Sequence, residues 1–262
     1  MKTKKTGTSI SASNASKSNT KSNTKSNTKS NTKLNNTKKK PMEIEYEAKF
    51  LEIDKDQLIE KIKSMGGVKK SPITMYKRSV FSLCDYKNGY VRVRDEGDKV
   101  TMTAKIYKDP KFPQEYELII KDGFEHGQEF LRALNLSEKA YHETMREKWS
   151  IPYKGNQELC EIAIDYIPGL PVYAEVECKN KKNLDKAIKL LKLNKDKMRF
   201  GAYGKVYVEY YGMTKEDIDD TIPRLTFKNI ESELEKYIHK NHDILKQTAK
   251  SHLEVYNNLN LS

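Results

Sequence analysis

The chain is poor in cysteine and tryptophan, with three of one and a single copy of the other among 262 residues. Cys84, Cys160 and Cys178 are odd in number and show no Cys-x-x-Cys spacing. That pattern argues against a disulfide framework or zinc knuckle and favours a reducing compartment. No run of about eighteen apolar residues occurs, so no membrane-spanning helix is expected. The first forty residues contain no acid and almost no large apolar side chain. They hold eleven lysines and four copies of Lys-Ser-Asn-Thr, from Lys17 to Thr32. A polar repeat of this kind cannot bury enough surface to offset chain entropy, so residues 1–41 are expected to be a disordered tail. The tail also lacks the apolar core of a secretory signal and the arginines of a transit peptide. The expectation is an intracellular, cytoplasmic protein, with the basic tail leaving a nuclear location open. Nothing in the chain has the look of a Ser-His-Asp or Cys-His nucleophile. Gly201-Ala-Tyr-Gly204 lacks the Lys-Ser/Thr of a phosphate-binding loop.

The net charge of +12 is almost wholly a property of the tail. Beyond residue 40, 38 basic groups face 37 acidic ones. The basic balance therefore gives no argument for a nucleic-acid-binding face on the folded part. What is present there is a set of strands with one ionic face each. Met42–Phe50 alternates strictly, with Ile44, Tyr46, Ala48 and Phe50 on one side and Glu43, Glu45, Glu47 and Lys49 on the other. A short amphipathic helix is expected over Asp54–Met65, ending at Gly66-Gly67. Strands follow at Met75–Leu83, Tyr90–Arg94, Val100–Tyr107 and Glu115–Ile120, with turns at Asn88-Gly89, Glu96-Gly97-Asp98 and Asp109-Pro110. After a helix at His126–Leu134 come strands at Thr144–Ile151, Glu158–Tyr166 and Val172–Lys179, the last two joined by a turn at Pro168-Gly169. A helix at Asn183–Leu193, a final strand at Val206–Tyr211 and a long helix from Ile230 to about Tyr256 complete the reading. The expected architecture is α+β: an antiparallel, closed or nearly closed β-barrel with surrounding helices and a C-terminal helix. The domain over 42–213 carries a helical extension over 214–262. His239 and His242 are read as part of a solvated helix face, and Trp149 as core.

The ionic faces carry pairs two residues apart: Arg92 and Arg94, Glu115 and Glu117, Arg146 and Lys148, Glu175 and Glu177. The apolar faces are continuous enough to pack beneath helices, which leaves the ionic faces for the lumen. So many enclosed charges need pairing, metal or ligand to compensate their desolvation.

In order down the chain, Glu45-x-Glu47-x-Lys49, Val91-Arg92-Val93-Arg94, Lys105, Glu115-x-Glu117, Arg146-Glu-Lys148-Trp, Asp165-Tyr-Ile-Pro-Gly-Leu170 and Glu175-x-Glu177 resemble the successive motifs of the CYTH, or triphosphate tunnel metalloenzyme, superfamily. The match covers Glu43 to Gly212. Tyr203-Gly-Lys205-Val-Tyr207 resembles the closing strand less closely, and Lys148 stands where the family usually has arginine before the aromatic. The resemblance implies a tunnel that holds a linear triphosphate. It implies substrate binding by Lys49, Arg92, Arg94, Lys105, Arg146, Lys148 and Lys205, of which Lys49, Arg92, Arg94 and Lys105 join Asp165 as catalytic candidates. Arginine forks suit phosphate oxygens. Carboxylates beside phosphate call for a divalent metal, Mg²⁺ or Mn²⁺. Glu45, Glu47, Glu175 and Glu177 are the ligand candidates, with Glu115 and Glu117 as further or second-metal ligands.

The function this implies is metal-dependent hydrolysis of a triphosphate: inorganic tripolyphosphate, thiamine triphosphate, or a nucleotide or RNA 5′ end. The alternatives are a class IV-type adenylyl cyclase and an inactive triphosphate-binding module. The partner is a triphosphate-containing small molecule, nucleic acid entering only as an RNA 5′ end; no membrane is implied and the oligomeric state is left open.

Overall fold

The computed structural model describes residues 43–83, 89–109, 111–152, 158–214, 216–218 and 222–260. The expected tail, Cys84, Asn88 of one turn and Pro110 of another lie outside these residues. Contacts group the chain into Met1–Lys39 and Lys40–Ser262, and every described residue belongs to the second unit.

Among the described residues eleven strands form one sheet. In chain order they are β1 (Glu43–Ile44), β2 (Tyr46–Phe50), β3 (Val68–Ser82), β4 (Gly89–Asp95), β5 (Val100–Ile106), β6 (Gln114–Ile120), β7 (Glu138–Pro152), β8 (Glu158–Tyr166), β9 (Tyr173–Cys178), β10 (Met198–Arg199) and β11 (Arg224–Leu225). Their spatial order is β1-β6-β5-β4-β3-β7-β8-β9-β2-β10, with β11 added parallel to β7 and all other pairs antiparallel. The expected alternating strand at 43–50 is split at Glu45: β1 pairs with β6 and β2 with β9. The two ends of the sheet are thus joined through the chain at Glu45. No β6–β9 ladder closes the circle among the described residues, so the closed form of the expected barrel is corrected to an open, curled sheet.

Among the described residues six α-helices accompany the sheet: α1 (Lys55–Ser64), α2 (Phe124–Ala133), α3 (Lys181–Leu191), α4 (Gly204–Tyr211), α5 (Ile230–Leu234) and α6 (His242–Asn260). The side chain of Asp54 caps α1 by accepting from the Gln57 N–H at 3.0 Å. That helix stops at Gly66, whose φ of 77° suits glycine. Helices α1 and α3 cover the outer face of β2, β7, β8 and β9, where Ala48, Phe50, Trp149, Ile162, Ile164 and Val176 are buried. Helix α2 sits on β4, packing Phe124 and Leu131 over Val91 and Val93. The expectation that every apolar face lies under a helix fails on β6, where Tyr116 and Leu118 stay exposed.

Two further expectations are corrected. Val206–Tyr211 is not a strand but most of α4. Its Val and Tyr content and its alternation mimic a strand, yet Val206, Tyr207 and Tyr211 are buried together on one helical side. The Tyr207 hydroxyl donates to the Pro168 carbonyl and the Tyr211 hydroxyl to that of Gly169. These anchors tie α4 to the expected turn before β9. The long C-terminal helix is broken: the His239 N–H donates to the Tyr211 carbonyl at 2.8 Å, and Asn241 takes a φ of 61°. Ile230, Leu234, Ile238 and Leu245 bury against Tyr207 and Tyr211. Among the described residues no helix is long and apolar enough to cross a membrane.

The cysteine expectation is also corrected. Cys160 and Cys178 face each other in register on β8 and β9, 4.4 Å apart at Cα, and form a disulfide. Their sequence separation of 18 hid a pairing that only the antiparallel register brings about.

Candidate active site

Because strand side chains alternate, a curled sheet whose outer face packs under helices must gather its other face inside. The inner faces enclose a cavity of about 1320 Å³. All fourteen site residues expected from the sequence line it, from Glu45 on the β1–β2 link to Glu177 on β9. Lys205 does so from the first turn of α4 rather than from a strand, and it is exposed.

The strand register sets charges of opposite sign against one another. Lys49 lies opposite Glu175, Lys105 opposite Glu115 and Arg146 opposite Asp165. Arg146 grips Asp165 with two 2.6 Å hydrogen bonds and reaches Glu175 at 3.0 Å. The Lys49 ammonium lies 2.8 Å from Glu175 and 3.1 Å from Glu47. Lys105 binds Glu45 at 3.0 Å and also contacts Glu115, with Glu47 at 3.8 Å. Arg92 stands 3.9 Å from both Glu115 and Glu117, and Arg94 is held by Glu96 at 2.5 Å. Lys148 pairs with Glu161 at 3.1 Å, and Glu117 accepts from Thr103 at 2.9 Å.

This network leaves some charge uncompensated. Burial pushes the Glu45 carboxyl up to about 9, despite the opposing pull of Lys105. Burial, reinforced by Glu175, raises Glu177 to about 7. Glu115 moves the other way: burial would raise it, but Lys105 and Arg92 outweigh that and lower it. Burial would likewise lower Lys49, yet Glu175 and Glu47 hold it above its ordinary value. Two carboxyls that retain protons near neutrality beside ionised neighbours are short of positive charge. Among the described residues no three such groups stand as a finished metal cage. The donor set, all carboxylate oxygen, nevertheless suits Mg²⁺ or Mn²⁺ rather than a thiophilic metal.

The sequence reading missed several lining residues: Tyr76, Arg78, Glu96, His142, Tyr173 and Tyr203. Arg78 carried a usable signal, since it lies two residues from both Tyr76 and Val80 on one strand face. His142 precedes the part of β7 that its pattern revealed, and Tyr203 belongs to the loop entering α4.

No family model matches the chain, and no curated protein matches it. Solved structures do. A candidate adenylate cyclase from Vibrio parahaemolyticus aligns with a TM-score of 0.52 at 11% identity, covering 63% of this chain and 98% of that one. The PH1012 protein of Pyrococcus horikoshii aligns at 0.50 and 18% identity, covering 61% and 96%. A candidate adenylyl cyclase from Hippeastrum with a dominant triphosphatase activity scores 0.43 at 13% identity, covering 64% and 94%, a likeness too slight to bear on this chain. The chain therefore shares the fold of the Vibrio and Pyrococcus structures, in line with the fold that the order of its motifs led one to expect.

Proposed function

We propose that the cavity binds a linear triphosphate and that the protein hydrolyses it with a divalent metal. The observation that supports this is the gathering of all fourteen expected residues, seven basic and seven acidic, around one cavity. A triphosphate carries about four negative charges, and guanidinium forks match its oxygens. Arg92, Arg94 and Arg146 would hold and orient the chain, and Lys49 and Lys105 would offset charge on its oxygens as a bond breaks. Mg²⁺ or Mn²⁺ held by Glu45 and Glu47, with Glu115, Glu117, Glu175 or Glu177, would neutralise phosphoryl oxygens and supply an acidified water. The partly protonated Glu45 and Glu177 fit such a cation, because its charge would take the place of their protons. Asp165, clamped by Arg146, fixes that guanidinium in place.

The cavity volume favours one other reading. A space of 1320 Å³ exceeds the roughly 300–1,000 Å³ usual for small-molecule pockets, and Tyr90 and Tyr107 line it. There is room for a nucleoside, and a cyclase would use the same phosphate-holding groups. The two are separated by offering the protein tripolyphosphate or ATP with Mg²⁺ or Mn²⁺ and scoring the products. Orthophosphate that disappears in the Glu45→Ala, Glu47→Ala double variant supports hydrolysis. Cyclic AMP with pyrophosphate replaces it by cyclisation. Binding without any product leaves a silent triphosphate-binding module.

A further inference from the structure

Arg78 is a half-buried cation of the cavity wall that the sequence reading did not name. Arg78 on β3 lies opposite Arg94 of β4 on one side and opposite His142 of β7 on the other. Like charges directly opposed across a ladder repel. Arg94 is relieved by Glu96, but among the described residues no carboxylate pairs with Arg78. Its guanidinium lies against the Tyr203 ring, 4.3 Å from the centroid, and its Nε is buried without an acceptor.

His142 presents a second unfilled donor. Its Nδ1 lies 2.5 Å from the Tyr203 hydroxyl, and its Nε2 is buried without a partner. Burial raises the Tyr203 hydroxyl to about 12, so it keeps its proton. Burial and the charge of Arg78 together hold the imidazole neutral. With no other acceptor for its hydroxyl among the described residues, Tyr203 donates to Nδ1, and the single imidazole proton resides on Nε2. A charged and a neutral N–H donor thus stand side by side in the wall, both unfilled. An unsatisfied buried donor costs about 1–3 kcal/mol, and one anion would satisfy both.

We propose that Arg78, His142 and Tyr203 form a station for the terminal phosphoryl group of the substrate, across the sheet from the carboxylates of β2 and β9. This rests on the triphosphate reading above and adds to it a preference for chains with a free end. A terminal phosphoryl group offers three unshared oxygens and up to two charges, enough for the Arg78 fork and Nε2–H together. An internal group, with two unshared oxygens and a single charge, offers less to the cationic fork. Tyr203 acts as a positioning residue: its ring backs the guanidinium and its hydroxyl sets the tautomer of His142.

The test is calorimetric binding to the full chain, in EDTA and again in excess Mg²⁺, of linear tripolyphosphate, cyclic trimetaphosphate and orthophosphate. Arg78→Ala is expected to weaken tripolyphosphate by about tenfold or more, the loss of one charged hydrogen-bonding group. Arg78→Lys should fall between it and the wild type, and His142→Phe should lose a smaller factor. Trimetaphosphate, which has no end, should bind more weakly than tripolyphosphate and change less than about twofold in Arg78→Ala. Should Arg78→Ala fail to fold, Arg78→Lys and His142→Phe carry the comparison. Unchanged tripolyphosphate affinity in these variants overturns the proposal, and so do equal losses for the linear and cyclic anions. Orthophosphate bound as tightly as tripolyphosphate, through Arg78, overturns it in favour of a free-phosphate site. A wild-type chain that binds none of the three in either condition overturns the triphosphate reading itself.

Discussion

Arg146 shows how the cavity tolerates its charge. Its fork satisfies both oxygens of Asp165, which is 1% exposed, and a third bond reaches Glu175. Removing one member of a buried ionic group leaves its partners uncompensated, a larger loss than the pair is worth. Arg146→Gln is therefore expected to lower unfolding free energy by about 3–5 kcal/mol, read from urea denaturation at pH 7. A change under about 1 kcal/mol would mean the network is hydrated like a surface pair. The residues of this network could be read from the sequence because each belongs to a strand with an ionic face, Arg146 and Lys148 or Glu175 and Glu177. His142 could not, and Arg78 only as a member of its strand face, because what sets the two apart is facing each other across β3 and β7, a register that one strand's pattern does not contain. The same holds for Cys160 and Cys178.

Among elements, strands and short helices with a clean period were legible, from the alternation of β2 to the cap of α1. Helix α4 was not. Val206, Val208 and Tyr210 alternate as strand residues do, and the bonds that keep the segment helical come from Tyr207 and Tyr211 to a turn some forty residues earlier. Gly212, in the left-handed region at φ 70°, was the local sign that a helix ends there. Helix α6 gives an element-scale prediction. His252 is 2% exposed, packed by Tyr166 and Phe227 with ring centroids at 5.3 and 5.9 Å. Burial lowers it to about 4, against a weaker pull upward from the Ile167 carbonyl. The unfolded chain then binds the proton first as acid is added. The stability due to neutral His252 is complete above about pH 6.5 and is lost as pH falls toward 4, on the order of 3 kcal/mol. His252→Phe should flatten that part of the stability-versus-pH curve. An unchanged slope would show that His252 is not held neutral in the folded chain.

For the whole molecule, the curled sheet turns a one-dimensional alternation into a charged interior. Apart from β6, whose Tyr116 and Leu118 stay exposed, the long strands turn an apolar face outward and an ionic face to the cavity, where the carboxylates of β2 and β9 meet Lys49 and Arg146 and those of β6 meet Lys105 and Arg92. The open arrangement at Glu45 could not be read from the sequence, since an alternating strand looks the same whether it pairs along its whole length or changes partner midway. The most direct test of the account is a crystal structure of the full chain grown with tripolyphosphate and Mn²⁺. The account predicts an ordered phosphate chain between Arg92, Arg94 and Arg146, with the anomalous manganese signal beside Glu45 and Glu47. A cavity left empty at saturating tripolyphosphate, or phosphate bound elsewhere on the surface, would contradict it.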